Sequence, residues 1–227
     1  MTIRFSKTMI LAFETATNIC SVSFQNNAGE VFEKRTERKG SHSELLFLYV
    51  RELMQEHQFK MADLDTVLVS TGPGSYTGLR IAASAIKGMF FGLDVDIYSG
   101  NTLAGFAQAV GEGKIHAVIN ARRKHLYHQL FSFNNEGLKA VSDSRILELV
   151  EIEELLKPGE KIIGTGIDRL DKKRLEELTI IDSGQITSKS LVTLFESTTK
   201  DDFFEKTTAE ELESNYLTSS QVNNTSV

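Results

Sequence analysis

The apolar positions of the chain change their period several times, and each change marks an element. Residues 9–13, Met-Ile-Leu-Ala-Phe, form an unbroken apolar run, the pattern of a central strand covered on both faces. The polar turn Glu14-Thr15-Ala16-Thr17-Asn18 follows. Residues 19–25 then alternate, with Cys20, Val22 and Phe24 on one face and Ser21 and Ser23 on the other. Asn26-Asn27-Ala28-Gly29 is a hairpin signal, and 30–35 a returning strand. These three strands make an antiparallel meander.

The period then turns helical and runs to about His57, opened by Ser41 with Glu44 at capping-box spacing. Leu45, Leu46, Phe47, Leu48, Tyr49, Val50, Leu53 and Met54 cover most of its circumference, more than one core-facing stripe requires. The pattern predicts a helix buried on two sides, by the sheet and by a partner chain, with Leu45, Leu46, Tyr49 and Leu53 toward the partner. A strand is predicted at 65–70 and a second helix from Leu79 to Gly92. Leu79, Ala82, Ala83, Ile86, Met89 and Phe90 give that helix a core face. Ile81, Ala85, Gly88 and Gly92, with Ser84 beside them, give it a small-residue stripe that admits another helix at close range. Glycine inside a helix costs about 1 kcal/mol against alanine, which a close contact would offset.

A strand at 95–98 and a helix at 101–110 complete a first lobe. The second half repeats the theme. Strands at 115–120 and 125–133 flank the turn Asn120-Ala121-Arg122-Arg123-Lys124, and a hairpin signal follows at 134–137. A strand at 141–146, a helix at 148–156, a strand at 161–164, helices at 168–178 and 188–200 and a helical turn at 208–214 complete the pattern. The turns at 14–18 and 120–124 stand in matching places, which points to a duplicated lobe. The predicted division is an extension at 1–8, lobes at 9–105 and 106–217, and a loose tail at 218–227.

The stretch with the most chemistry in its spacing lies between the 65–70 strand and the second helix. Gly72-Pro73-Gly74-Ser75-Tyr76-Thr77-Gly78-Leu79-Arg80 is a stiff turn at a helix start, suited to an anion or to closely docked backbone. It lacks the lysine and spacing of a P-loop and does not fit Gly-x-Gly-x-x-Gly. Ser75 sits in Gly-Ser-Tyr-Thr-Gly, one residue longer than a nucleophile elbow. Arg80 either covers the helix start or meets an acid or anion.

Composition narrows the reading. The 227 residues are 41% hydrophobic, enough for two lobes of about 100 residues each. A net charge of −6 makes the whole chain a poor stand-alone binder of nucleic acid, and the short basic runs read as solvated turns. The single Cys20 excludes an internal disulfide and suits a reducing compartment. Neither a signal peptide nor a stretch of ~20 apolar residues is evident, so a cytoplasmic protein is expected. The five histidines include no pair four residues apart, and no metal site is expected.

Gly72-Pro73-Gly74-Ser75-Tyr76-Thr77-Gly78-Leu79-Arg80, with Lys87-Gly88 behind it, resembles the signature of the TsaB (YeaZ) family. Ile10-Leu11-Ala12-Phe13-Glu14-Thr15-Ala16-Thr17 is similar to that family's first strand and loop, Ser41 to Leu46 to its first helix start, and Asn120-Ala121-Arg122 to its Asp-Ala-Arg turn. Gly164-Thr165-Gly166 and the segment from Ala209 to Leu217 also match, so the resemblance spans about Met9 to Leu217. It implies an α/β, actin-like ASKHA fold of two ribonuclease-H-like lobes. It also implies a subunit, not an enzyme on its own, of the machinery that places threonylcarbamoyl on adenosine 37 of tRNAs reading codons that begin with A. The implied partners are a TsaD-like catalytic paralogue and a TsaE-like ATPase, met through the first two helices, with a homodimer on the same surface in isolation and tRNA met only indirectly. ATP or ADP is expected only in the complex. Glu14, Thr15, Thr17, Asn120, Arg122, Gly164 and Gly166 are then vestigial nucleotide loops, and Gly72, Pro73, Gly74, Ser75, Thr77, Gly78 and Arg80 a structural signature. The chain departs from the family at Asn120, where Asp is common, and at Ser214 and Thr218. A stand-alone ATPase, phosphotransferase or peptidase and a homodimeric regulator are the alternatives.

Overall fold

The computed structural model describes residues 7–40 and 42–213. Most of the predicted extension, the Ser41 half of the capping box, and Ser214 onward lie outside the described residues. The meander forms as the alternation requires: β1 (Ile10–Glu14), β2 (Ile19–Gln25) and β3 (Val31–Glu37) pair antiparallel in sequence order. The helix α1 (His42–His57) leads to β4 (Thr66–Gly72), which lies parallel to β1. After α2 (Tyr76–Phe90), β5 (Asp96–Asn101) pairs parallel to β4, and Asn101 caps α3 (Thr102–Val110) by accepting from the Ala104 N–H.

The second half repeats this plan. It comprises β6 (Gly113–Asn120), β7 (His125–Asn134), β8 (Gly137–Ala140), β9 (Arg145–Glu148), α4 (Leu149–Leu155), β10 (Lys161–Gly164), α5 (Lys172–Glu176) and β11 (Thr179–Ile181). The first sheet runs β3-β2-β1-β4-β5 and the second β8-β7-β6-β10-β11, with the same parallel and antiparallel steps. The matched turns seen in the sequence therefore stand at matched places in two sheets of one design.

Three differences have physical causes. The strand predicted at 141–146 is split: β8 ends at Ala140, residues 141–144 bend, and β9 pairs on the other end of β7. The helix predicted at 168–178 shortens to Lys172–Glu176, because the Asp171 carboxylate caps it there by accepting from the Lys173 and Arg174 N–H groups. The predicted lobe boundary is not respected by the C-terminal segment. The helix α6 (Lys189–Phe195), shorter than its predicted 188–200, lays Leu191 and Val192 against Ile10, Ala12 and Leu68 of the first sheet. The strand β12 (Phe204–Thr207) then pairs antiparallel with β5 and completes that sheet's edge.

The core over one face of the first sheet takes Leu46, Tyr49, Val50 and Leu53 from α1 and Ala82, Ala85, Ile86 and Phe90 from α2. On α1 those residues fall at i, i+3, i+4 and i+7, a single stripe. No helix among the described residues is long and apolar enough to cross a membrane.

Candidate functional site

The glycine turn is packed against the loop that follows β1. A Cβ at Gly78 would stand 2.0 Å from the Thr15 carbonyl oxygen, and one at Gly74 would stand 2.7 Å from the Ala16 carbonyl oxygen. Only glycine lets these backbones meet. The Ser75 N–H donates to the Ala16 carbonyl at 2.7 Å, and the Thr15 hydroxyl donates to the Gly78 carbonyl at 3.0 Å. Of the two readings the sequence left open, docked backbone is the one realised.

The rest of the turn fixes the helix. Gly72 takes φ +141° at the end of β4, the Gly72–Pro73 bond is cis, and the Gly72 N–H donates to the Thr102 hydroxyl at 3.1 Å. The Ser75 hydroxyl accepts from the Gly78 N–H, so α2 begins at Tyr76, three residues ahead of the predicted start. Thr77 is exposed on the first turn.

Glu14 anchors the loop from below. It is 1% exposed and accepts hydrogen bonds from the Ala16 N–H and the Ser70 hydroxyl. Burial pushes its carboxyl up to about 7, against the opposing pull of those two donors. Burial and the nearby Glu14 charge push the Cys20 thiol up to about 12, which leaves it unreactive. Thr15 is buried, and the Thr17 hydroxyl accepts from the Ile19 N–H at 3.2 Å. The side-chain oxygens of Glu14, Thr15 and Thr17 are thus all engaged within the fold.

The partner-facing residues predicted on α1 and α2 divide. Leu46, Tyr49, Leu53 and Ala85 are buried in the chain's own core, and Leu45 is half-buried against it, so these do not form a free face. Long apolar side chains such as Leu45, Leu48 and Met54 cover the flanks of the core stripe, which is why the apolar arc of α1 is wider than any free face. Gly92 lies beyond the end of α2 with φ +73°, a turn residue rather than part of a helical stripe. Ser84 and Gly88 are exposed, Ile81 is half-buried, and a Cβ at Gly88 would meet nothing within 4 Å.

What the structure leaves open is a groove of about 500 Å³ between the N-terminal turns of α1 and α2, lined by Ser43, Phe47, Tyr76, Arg80, Ile81 and Ser84 among others. Phe47 is 51% exposed and Tyr76 49%. The Arg80 guanidinium stacks on the Tyr76 ring at 3.8 Å, which holds a charged fork flat over the groove wall. Phe47 and Tyr76 were not singled out from sequence. The signal existed: Phe47 falls off the 46-49-50-53 stripe, and Tyr76 shares a helix face with Arg80 four residues on.

The remaining loop residues gather in the second half. The Asn120 N–H donates to the Thr165 hydroxyl at 3.1 Å, and the Asn120 carbonyl oxygen of the side chain accepts from the Arg122 N–H and from Arg169 Nη1. Gly164 takes φ +136°, and a Cβ there would stand 1.7 Å from the Val118 carbonyl oxygen. A Cβ at Gly166 would stand 2.7 Å from Leu126 Cδ2. At Gly164 this turn, like the first glycine turn, docks backbone on backbone, while Gly166 makes room for the Leu126 side chain. Among the described residues no hydrogen bond joins this set to the Glu14 set. Nearby, His116 and His128 form a buried pair at 2.9 Å, and His116 Nε2 lies 2.8 Å from Glu160. A carboxylate only accepts, so His116 Nε2 carries a proton and its Nδ1 accepts from His128 Nε2–H.

Comparisons with known proteins agree with this geometry. A family model described as "TsaD: tRNA N6-adenosine threonylcarbamoyltransferase" matches residues 17–213. The chain is 27% identical over 194 residues to the tRNA threonylcarbamoyladenosine biosynthesis protein TsaB of Buchnera aphidicola subsp. Baizongia pistaciae, covering 82% of this chain and 87% of that protein. It is 29% identical over 174 residues to the protein of the same name from Bacillus subtilis, covering 74% and 76%. The solved structure of YeaZ from Pseudomonas aeruginosa superposes with a TM-score of 0.79 at 23% identity, over 93% of this chain and all of that one. The fold is thus the actin-like α/β fold of two ribonuclease-H-like sheets that the resemblance implied. The chain belongs to the TsaD-type tRNA N6-adenosine threonylcarbamoyltransferase family, and within it to the TsaB/YeaZ proteins.

Proposed function

We propose that the chain is a non-catalytic subunit that docks a TsaD-like catalytic partner and activates it for threonylcarbamoylation of adenosine 37 in tRNAs reading codons that begin with A. The observation that carries this reading is the open apolar groove between α1 and α2, walled by Phe47, Tyr76 and Ile81 and overlaid by Arg80. Its aromatic and arginine content is that of an interface hot spot. Exposed Ser84 and Gly88 extend the same face and let a partner helix come close. In isolation the same face suits a second copy of the chain. A TsaE-like ATPase completes the assembly, which works in the cytoplasm.

The non-catalytic part of the reading is supported by Glu14. As the acid of the first loop it is closed off from solvent and engaged by Ser70 and Ala16, so it is ill placed to hold a metal-bound nucleotide. ATP or ADP enters the reading as a ligand of the assembled complex. Family membership and the names of the relatives support a role in tRNA threonylcarbamoyladenosine biosynthesis. The test is reconstitution of the tRNA-modifying mixture with and without this chain. Modification should depend on it, and should be lost when Phe47→Ala and Tyr76→Ala are combined. A mixture that runs at full rate without the chain overturns the proposal.

A further inference from the structure

The turn between β6 and β7 carries a feature that the docking role does not use. Arg122 and Arg123 take φ +80° and +49°, two successive side-chain-bearing residues in the left-handed region. The turn is closed by the His125 N–H donating to the Arg122 carbonyl at 3.1 Å and the Ala121 N–H donating to the His125 carbonyl at 3.2 Å. Asparagine and glycine fill such hairpin positions without steric cost, whereas arginine does not. Strained residues of this kind persist where the surrounding structure holds them, and they cluster at functional sites.

The charges there are also uncompensated. Arg122, Arg123 and Lys124 are exposed, and among the described residues none of them, nor Arg169, forms an ion pair. Elsewhere Lys34, Lys139 and Lys206 each reach a carboxylate within 2.7 Å. Arg169 is held by neutral acceptors, the Asn120 side chain at 2.6 Å and the His125 carbonyl at 3.3 Å, so its orientation is fixed while its charge is not cancelled. Asn120 accepts from Arg169 Nη1 and from the Arg122 backbone N–H, which ties the Arg169 guanidinium to the turn. The start of α4 lies beside the turn, its Leu149 N–H donating to the Lys124 carbonyl at 3.0 Å, with the Glu148 carboxylate 3.9 Å from His125 Nε2 and the Glu151 carboxylate on the Glu148 N–H. A chain of net charge −6 gains RNA affinity only through such a local concentration of cations.

We propose that this turn, through Arg122, Arg123 and Lys124 with Arg169 behind them, contacts the phosphate backbone of the tRNA substrate. The proposal rests on the tRNA-modification reading above and replaces the expectation that RNA is met only through partners. The contact is sequence-independent, since guanidinium and ammonium groups pair with phosphate rather than with base edges.

The test compares the natural chain with Arg122→Asn/Arg123→Gly, which removes two charges and puts at each left-handed position a residue that tolerates it. Labelled tRNA is titrated between about 50 and 200 mM salt against the assembled complex and against the chain alone, with complex formation followed separately by sizing. The variant should melt at a higher temperature than the natural chain and should assemble equally well. Its slope of log K against log salt should fall by about 1.4 to 1.8 for two lost phosphate contacts, with weaker binding at the lowest salt. An unchanged slope in a complex that forms normally overturns the RNA contact and leaves the assembly reading intact. A chain that fails to assemble but still loses slope on substitution supports the contact and counts against the assembly reading.

Discussion

The carbonyl oxygen of Thr15 occupies the place where Gly78 would carry a Cβ, 2.0 Å from that position. The first turn of α2 is therefore seated directly on the loop after β1, and the groove-lining residues Tyr76 and Arg80 inherit their position from that contact. Gly78→Ala forces two backbones apart and should cost about 2 to 4 kcal/mol of stability, lowering the melting temperature and weakening partner binding together. Gly88→Leu meets open space and should leave the melting temperature within a few degrees while blocking association. Calorimetry with a pull-down separates the two; a Gly88→Leu chain that binds normally would show that α2 docks no helix at that point.

Core and groove separate the same way on α1. Leu46→Ala empties a fully buried site and should cost about 2 to 5 kcal/mol of folding stability. Phe47→Ala, one residue on, should barely move stability and should cost about 1 to 3 kcal/mol of partner affinity, read by titration calorimetry.

Glu14 sets a pH trend in stability. In the unfolded chain it ionises at its ordinary 4.5, whereas burial raises it to about 7 in the fold. Its contribution is whole below about pH 4.5 and is lost as pH rises through 7, by about 3 kcal/mol. Glu14→Gln keeps an acceptor for the Ala16 N–H and can donate to the Ser70 hydroxyl. It should flatten this trend and make the chain more stable than the natural one at pH 8, measured by denaturant unfolding across pH.

The histidine pair runs the opposite way. Burial, with the His116 and Arg145 charges adding to it, holds His128 down to about 3, and burial also lowers His116 despite Glu160. His128 stays neutral in the fold while the unfolded chain takes up protons below 6.5, so stability should fall steadily as pH drops from 6.5 toward 4, by about 3 kcal/mol for His128, with the lowered His116 acting in the same direction. The two trends overlap, so the loss should appear most clearly in the Glu14→Gln background. A flat profile there would mean that the pair is already exchanged with solvent.

Much of this was legible in the pattern of the chain. The meander, α1, β4, α3, β6 and β7 fall where period and turn residues put them, because each follows from local signals. The glycines after β4 announced a close approach. The other half of that contact, Thr15 and Ala16, was hidden because it lies some sixty residues away and involves backbone atoms that any side chain could carry. The His116–His128 pair was missed for a related reason. The two residues meet diagonally across β6 and β7, with Val118 opposite His128 and Leu130 opposite His116, so only the strand register reveals them. On α1, Phe47 and Leu46 look alike in composition and differ by one step of helical phase, which decides between solvent and core.

The strand β12 carries a consequence of another kind. It is the edge of the first sheet, yet residues 204–207 are made only after every strand of the second sheet. A ribosome that has released β1 to β5 has released a sheet with an open edge beside β5 and with Leu68 and Ile10 still waiting for Leu191 and Val192. The first sheet, whose helices form the groove between α1 and α2, is thus finished only after the second sheet has been made. Premature stop products should be poor competitors for the partner, and their unpaired β5 edge marks them for quality control rather than assembly.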